Sequence, residues 1–145
     1  MTESDAPKFI VSTDKSTLDI SLISSFLSKT YWAKGRPQSV VEKSIKNSLC
    51  FGLYKEDKQI GFARVITDYA IFAYLADVFV IEKFRGQGAG KKLLHEIFNY
   101  PELSGIKKWM LATADAQDLY SKFGFIPLKT PDKYMEFTPA KKEQE

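Results

Sequence analysis

Apolar residues recur along the chain at two different periods, and the changes of period divide it into elements. Phe9-Ile10-Val11, ended by Ser12-Thr13-Asp14, predicts a short first strand. From Leu18 to Leu27 the apolar positions are Leu18, Leu22, Ile23, Phe26 and Leu27, the spacing of one helical face, with Ser16 or Thr17 available as a cap. That pattern breaks over Tyr31-Trp32-Ala33-Lys34-Gly35-Arg36-Pro37. It resumes in a second helix beginning near Pro37, with Val40, Val41, Ser44 and Ile45 on its inner side. Strand character follows: Cys50 to Lys55, a polar turn at Glu56-Asp57-Lys58, Ile60 to Ile66, a break near Asp68, then Ala73 to Ile81. A third helix presents Leu93, Leu94, Ile97 and Phe98 on one face before Pro101. A strand at Trp109 to Ala112, a helix from Ala116 to Phe123 capped by Gly124, and two last strands at Phe125–Pro127 and Tyr134–Phe137 complete the prediction. The order β-α-α-β-β-β-α-β-α-β-β predicts an α+β fold with a mixed sheet of about seven strands and about four helices. One domain over 1–145 is expected, with its core at about 9–137 and a loose charged tail from Ala140 to Glu145.

Composition narrows the function. With 44% hydrophobic and 27% charged residues the chain belongs with globular proteins and can build its own core. A net charge of +3 is too small to argue for a nucleic-acid partner. The lysine pairs Lys91-Lys92, Lys107-Lys108 and Lys141-Lys142 lack the aromatic interleaving such a surface uses. One cysteine and one histidine exclude an internal disulfide and a zinc site built from soft ligands, so no metal is expected. Cys50 lies in an apolar stretch and is expected to be a packed thiol, and His95 to be structural. The N-terminus lacks the apolar stretch of a signal peptide and no apolar run is long enough to span a bilayer, so a soluble cytoplasmic protein without membrane contact is expected.

The most informative segment runs Val78-Phe79-Val80-Ile81-Glu82-Lys83-Phe84-Arg85-Gly86-Gln87-Gly88-Ala89-Gly90-Lys91-Lys92. Glycines between a strand and a helix let backbone N–H groups approach a ligand closely, and the helix start adds partial positive charge; both suit a phosphate. A Walker loop fails, because Arg85 stands at its first glycine and Lys92 at its Ser/Thr position. A dinucleotide fingerprint fails on the spacing of Gly86, Gly88 and Gly90 and on the antiparallel strands before it. Arg85-Gly86-Gln87-Gly88-Ala89-Gly90 fits [Q/R]-x-x-G-x-[G/A] without a mismatch, and here the chain resembles the GCN5-related N-acetyltransferase (GNAT) superfamily. Ala116-Gln117-Asp118-Leu119-Tyr120-Ser121-Lys122-Phe123-Gly124-Phe125 is similar to that superfamily's A-x-x-L-Y-x-x-x-G-F motif, and the resemblance spans about Phe9 to Phe137. One departure is Thr113, where many relatives have Asn.

The resemblance implies acetyl-CoA as co-substrate, lying where the fourth and fifth strands part, and direct attack by a primary amine on the thioester. Val78, Phe79 and Val80 would pair with the pantetheine arm. Arg85, Gly86, Gln87, Gly88, Ala89, Gly90 and Lys91 would hold the pyrophosphate. Tyr120 occupies the general-acid position; a phenol, with a reference pKa of about 10, keeps its proton at neutral pH and can give it to a thiolate.

Asp77 is an acid inside an apolar strand, where an unpaired charge is costly. It is a candidate for a water-mediated base, a substrate cation anchor or an acceptor for backbone N–H groups. Asp68 and Tyr69, in the turn before that strand, and Tyr31 and Trp32, between the first two helices, are candidate acceptor contacts. The expected activity is therefore acyl-CoA-dependent N-acetyl transfer, EC 2.3.1 in type, by a monomer or homodimer; the alternative is a non-catalytic acetyl-CoA-binding sensor.

Overall fold

Residues 8–139 are described by a computed structural model, and up to Met110 the changes of hydrophobic period coincide with changes of element. The elements are β1 (Ile10–Ser12), α1 (Ile20–Leu27), α2 (Gln38–Lys46), β2 (Leu49–Lys55), β3 (Lys58–Thr67), β4 (Phe72–Val80), α3 (Ala89–Phe98), β5 (Lys108–Met110) and α4 (Gln117–Ser121). The cap of α1 is Asp19, whose side chain accepts the Leu22 N–H at 3.0 Å. Ser16 and Thr17, the residues expected there, fall in a separate 3-10 turn that Asp14 caps. On α2, Val41 and Ile45 are buried while Val40 faces out.

The five strands form one sheet in the order β1-β2-β3-β4-β5. The first three pairings are antiparallel, β2–β3 and β3–β4 through short turns and β1–β2 across the segment that carries α1 and α2; β4 and β5 are parallel, and α3 makes the crossover such a pair needs. Long stretches of β2 and β3 are buried on both faces, because helices cover both sides of the sheet. One side is closed by α1 and α2, with Ile23, Leu27, Val41 and Ile45 packed on Cys50, Phe62 and Phe79, and Phe26 stacked on Phe79 at 4.0 Å. By alternation Phe51, Ala63, Val65 and Leu75 face the other side, where α3 crosses β1 to β4 and buries Leu93, Leu94 and Ile97.

The chain separates after Ala112 into two compact units. The first holds the sheet and α1–α3, the second α4 and the segment after it. Among the described residues there are five strands and four α-helices, which corrects the expectation of about seven strands. Phe125–Pro127 and Tyr134–Phe137 form no ladder. Pro127 lacks a backbone donor, Pro131 starts a 3-10 turn between the two stretches, and Ile126, Met135 and Phe137 are exposed instead of packed on a sheet face. The tail from Ala140 to Glu145 and the Lys141-Lys142 pair lie outside the described residues. No helix among the described residues is long and apolar enough to cross a membrane.

Candidate active site

β4 is where the sheet opens. It pairs with β5 only at Phe72, Ala73 and Tyr74, yet remains paired with β3 as far as Val80. From Leu75 onward its outer edge therefore has no partner in β5, and Val78, Phe79 and Val80 lie on that released stretch. An unpaired strand edge offers a ladder of N–H and C=O groups to an extended ligand.

The strand leads through Ile81 and a 3-10 turn at Glu82–Phe84 into the glycine loop. Gly86 has φ +79° and Gly88, the residue ahead of α3, has φ +86°, a region glycine enters without the penalty other residues meet. A Cβ at either position would meet nothing within 4 Å, so the outer face of the loop is open. The first bond into the helix runs from the Lys92 N–H to the Gly88 carbonyl at 3.0 Å, leaving the N–H groups of Ala89, Gly90 and Lys91 as the free donors of the helix start. Arg85 donates its Nε–H to the Val80 carbonyl at 2.8 Å, tying the loop to the end of β4, and Gln87 reaches the Lys83 carbonyl at 3.4 Å. Lys92 forms an exposed ion pair with Glu96 at 3.3 Å, whereas no such pair engages Lys91 among the described residues. These donors and cations, with room for oxygens beside two glycines, fit a pyrophosphate.

Asp77 sits one residue before Val78 at a β-bulge: Phe62 pairs with Phe79 but Arg64 with Ala76, so Asp77 and Val78 together oppose Ala63. Its φ of +55° marks the kink. The bulge turns Asp77 to the α1–α2 side, where it is 6% exposed and accepts from three side chains. Trp32 Nε1–H donates to Oδ1 at 2.9 Å, while Arg36 and Arg64 both donate to Oδ2, at 3.0 and 2.9 Å. Arg64 also donates to the Ser48 hydroxyl at 3.1 Å. These partners are side chains of distant segments, not backbone N–H groups. Arg64 and Arg36 are not among the site residues expected from the sequence; Arg64 carries the same signal as Asp77, a charge inside an apolar strand.

Trp32 and Tyr31 meet edge to face at 5.2 Å, and both rings remain substantially exposed. Asp68 turns its Oδ1 to the backbone N–H groups of Ala70, Ile71 and Phe72, which hold its carboxyl below the usual range and shape the β3–β4 turn. Tyr69 is half-exposed at φ +63° in the same turn, where burial raises its phenol, with smaller contributions from Glu102, Tyr100 and Cys50. That turn precedes β4 while the glycine loop follows it, about 25 Å apart along the strand at roughly 3.3 Å per residue. Cys50 is buried beneath α2, and loss of water pushes its thiol from 9.0 up to about 11, with Lys15 and Arg64 opposing. His95 is exposed on α3 beside Asn99.

In the second unit, Tyr120 lies on α4 and is 8% exposed, its ring 5.9 Å from that of Phe125. Gly124 at φ +102° ends the turn, and the Phe125 N–H returns to the Tyr120 carbonyl at 3.2 Å. Thr113 accepts the Ala116 N–H on its hydroxyl at 3.0 Å, so the residue that replaces Asn here builds the entry to this helix.

Residues 46–127 match the family model described as an acetyltransferase (GNAT) domain. A Gibberella zeae protein, provisionally named an acetyltransferase, is 31% identical over 137 residues, covering 79% of this chain and 76% of its own. A solved structure from Xanthomonas campestris pv. campestris, described provisionally as an acetyltransferase of the GNAT family, is 47% identical, with a TM-score of 0.90 over 92% of this chain and 95% of that one. Another, of a protein of unknown function from meticillin-resistant Staphylococcus aureus described in the same provisional terms, is 25% identical with a TM-score of 0.73, over 92% of this chain and all of that one. The released β4 edge, the glycine loop and these likenesses lead to one conclusion: the chain belongs to the GNAT family and is an acyl-CoA-dependent acetyltransferase.

Proposed function

We propose that this protein transfers acetyl from acetyl-CoA to a primary amine by direct attack. The observation that carries this reading is the passage from the unpaired β4 edge into an open glycine loop whose helix N–H groups are free. When bound, acetyl-CoA supplies a thioester carbonyl open to an amine and a sulfur that leaves as thiolate. Backbone groups of Val78, Phe79 and Val80 hold the pantetheine arm as a neighbouring strand would, and a β4 N–H polarises the carbonyl. Arg85 through Lys91 bind the pyrophosphate through the α3 N–H groups and the Lys91 charge. Tyr120 donates its phenolic proton to the departing sulfur.

For Asp77 the geometry favours a fixed anchor over a base. Three donors occupy its carboxylate, which has about four acceptor positions, so its work is to hold Arg36, Arg64 and Trp32 in place beside the reacting centre. The amine proton then leaves through water. Tyr31 and Trp32 border the acceptor. Asp68 and Tyr69 contribute to the acceptor side only for a substrate long enough to reach the far end of β4.

The test is thiol release from acetyl-CoA across a panel of amines, for the wild type and Tyr120→Phe. Release that requires an amine establishes the reaction. Loss of one catalytic proton donor lowers kcat about 100-fold or more, with acetyl-CoA affinity nearly unchanged. Equal rates for the two proteins remove the donor role, and acetyl-CoA binding without release on any amine makes the protein a sensor.

A further inference from the structure

The cluster at the β4 bulge is not electrically balanced. Two guanidinium groups, Arg36 and Arg64, share one carboxylate oxygen of Asp77, and among the described residues neither has another acidic partner. One positive charge is left over where exposure is low: the Arg36 and Arg64 side chains are 23% and 12% exposed. Like charges converging on one oxygen repel, and a second anion facing them relieves the strain.

The two arginines differ in what remains free. Arg64 is held twice, by Asp77 through Nε and by the Ser48 hydroxyl through a terminal nitrogen. Arg36 is held through a single terminal nitrogen, which leaves most of its five N–H donors unused. No buried side-chain nitrogen or oxygen among the described residues lacks a partner, so the unused nitrogens of Arg36 reach solvent. A guanidinium fixed at one end with its remaining donors facing out is a fork for an oxyanion. Beside it stand the exposed rings of Tyr31 and Trp32, the indole oriented by its own bond to Asp77.

Resting on the acetyl transfer proposed above, we infer that the acceptor is a primary amine carrying an oxyanion, in the first place an amino carboxylate, whose anion is gripped by Arg36 and whose apolar body lies against Trp32 and Tyr31. Asp77 is one residue from Val78, so an anion held at Arg36 places its amine near the thioester end of the released strand. Arg64 and Asp77 are positioning residues in this arrangement, and Arg36 is the binding residue.

The experiment compares matched acceptors differing in the anion alone: L-phenylalanine with L-phenylalaninamide, L-leucine with L-leucinamide, and phosphoethanolamine with ethanolamine. For each, kcat/KM is measured by thiol release in the wild type, Arg36→Ala and Arg36→Lys. Comparing each acceptor's wild-type-to-variant ratio cancels the different basicities of the amines. The expected result is a loss on Arg36→Ala at least tenfold greater for the anionic member than for its neutral mate, expressed in KM, with Arg36→Lys intermediate. An effect confined to the phosphorylated member supports the fork and identifies its oxyanion as phosphate. Equal losses for both members of every pair overturn the inference while leaving acetyl transfer intact. If no amine releases thiol, acetyl transfer itself has failed. CoA-loaded protein is then titrated calorimetrically with the same pairs: binding of an anionic member that Arg36→Ala abolishes still supports the fork, and no binding of any anionic member overturns it.

Discussion

Removing the Asp77 carboxylate tests the central cluster most directly. Its side chain is 3% exposed and is the common acceptor of Trp32, Arg36 and Arg64. Asp77→Ala leaves two cations facing each other and an indole N–H without its acceptor. Removing one partner of a buried ion pair costs about 3–5 kcal/mol. Because Arg36 and Arg64 keep some access to water, they can recover part of that by turning outward, so a loss of about 2–4 kcal/mol is expected. For a chain of this size that lowers Tm by roughly 5–15 °C, at about 2–4 °C per kcal/mol. Asp77→Asn cannot restore the site, since an amide oxygen turned to the arginines sets the NH2 against the indole N–H, and the reverse sets it against two guanidiniums. Urea unfolding without CoA measures the loss, and Asp77→Ala with Arg36→Ala should be less damaging than the sum of the two changes, because the second removes a stranded cation. A loss below about 1 kcal/mol for Asp77→Ala would refute the account, since a merely solvated carboxylate costs that little.

Gly88→Ala should separate stability from binding: the positive φ costs about 1–2 kcal/mol, while the new Cβ, which meets nothing in the protein, intrudes on the ligand face and should raise the CoA dissociation constant tenfold or more; unchanged CoA affinity in a titration would remove the loop from the binding site. Cys50 should resist iodoacetamide at pH 8 until the protein is denatured. Its thiol is raised from 9.0 to about 11 by burial, so the unfolded chain loses the proton first and the contribution, complete below pH 9, is lost as pH rises towards 11. That amounts to roughly 2–3 kcal/mol, visible as a steeper alkaline fall in Tm for the wild type than for Cys50→Ala, and parallel curves would disprove it.

Much of this protein follows from its local pattern. Period, turn residues and glycine placement mark α1 to α3, the hairpins of β2 to β4 and the glycine loop, because each reflects interactions within a few residues of chain. Local pattern also has limits inside single elements: the α1 cap is Asp19 and not Ser16 or Thr17, and the stretches Phe125–Pro127 and Tyr134–Phe137 are not strands, since a strand is stable only against a neighbour that no local pattern supplies. The meeting of Trp32, Arg36 and Arg64 at Asp77 joins side chains 45, 41 and 13 residues distant from it, and it depends on one bulge that turns Asp77 to the helix side. Periodicity tells which face a residue takes, not which residues meet across that face. The early end of the β4–β5 pairing is of the same kind, because the point at which two strands part is set by where the α3 crossover delivers β5. The glycine run between a strand and a helix is local and legible from the chain alone; the convergence of Trp32, Arg36 and Arg64 on one carboxylate is long-range and exists only once the sheet and the α1–α2 side are assembled.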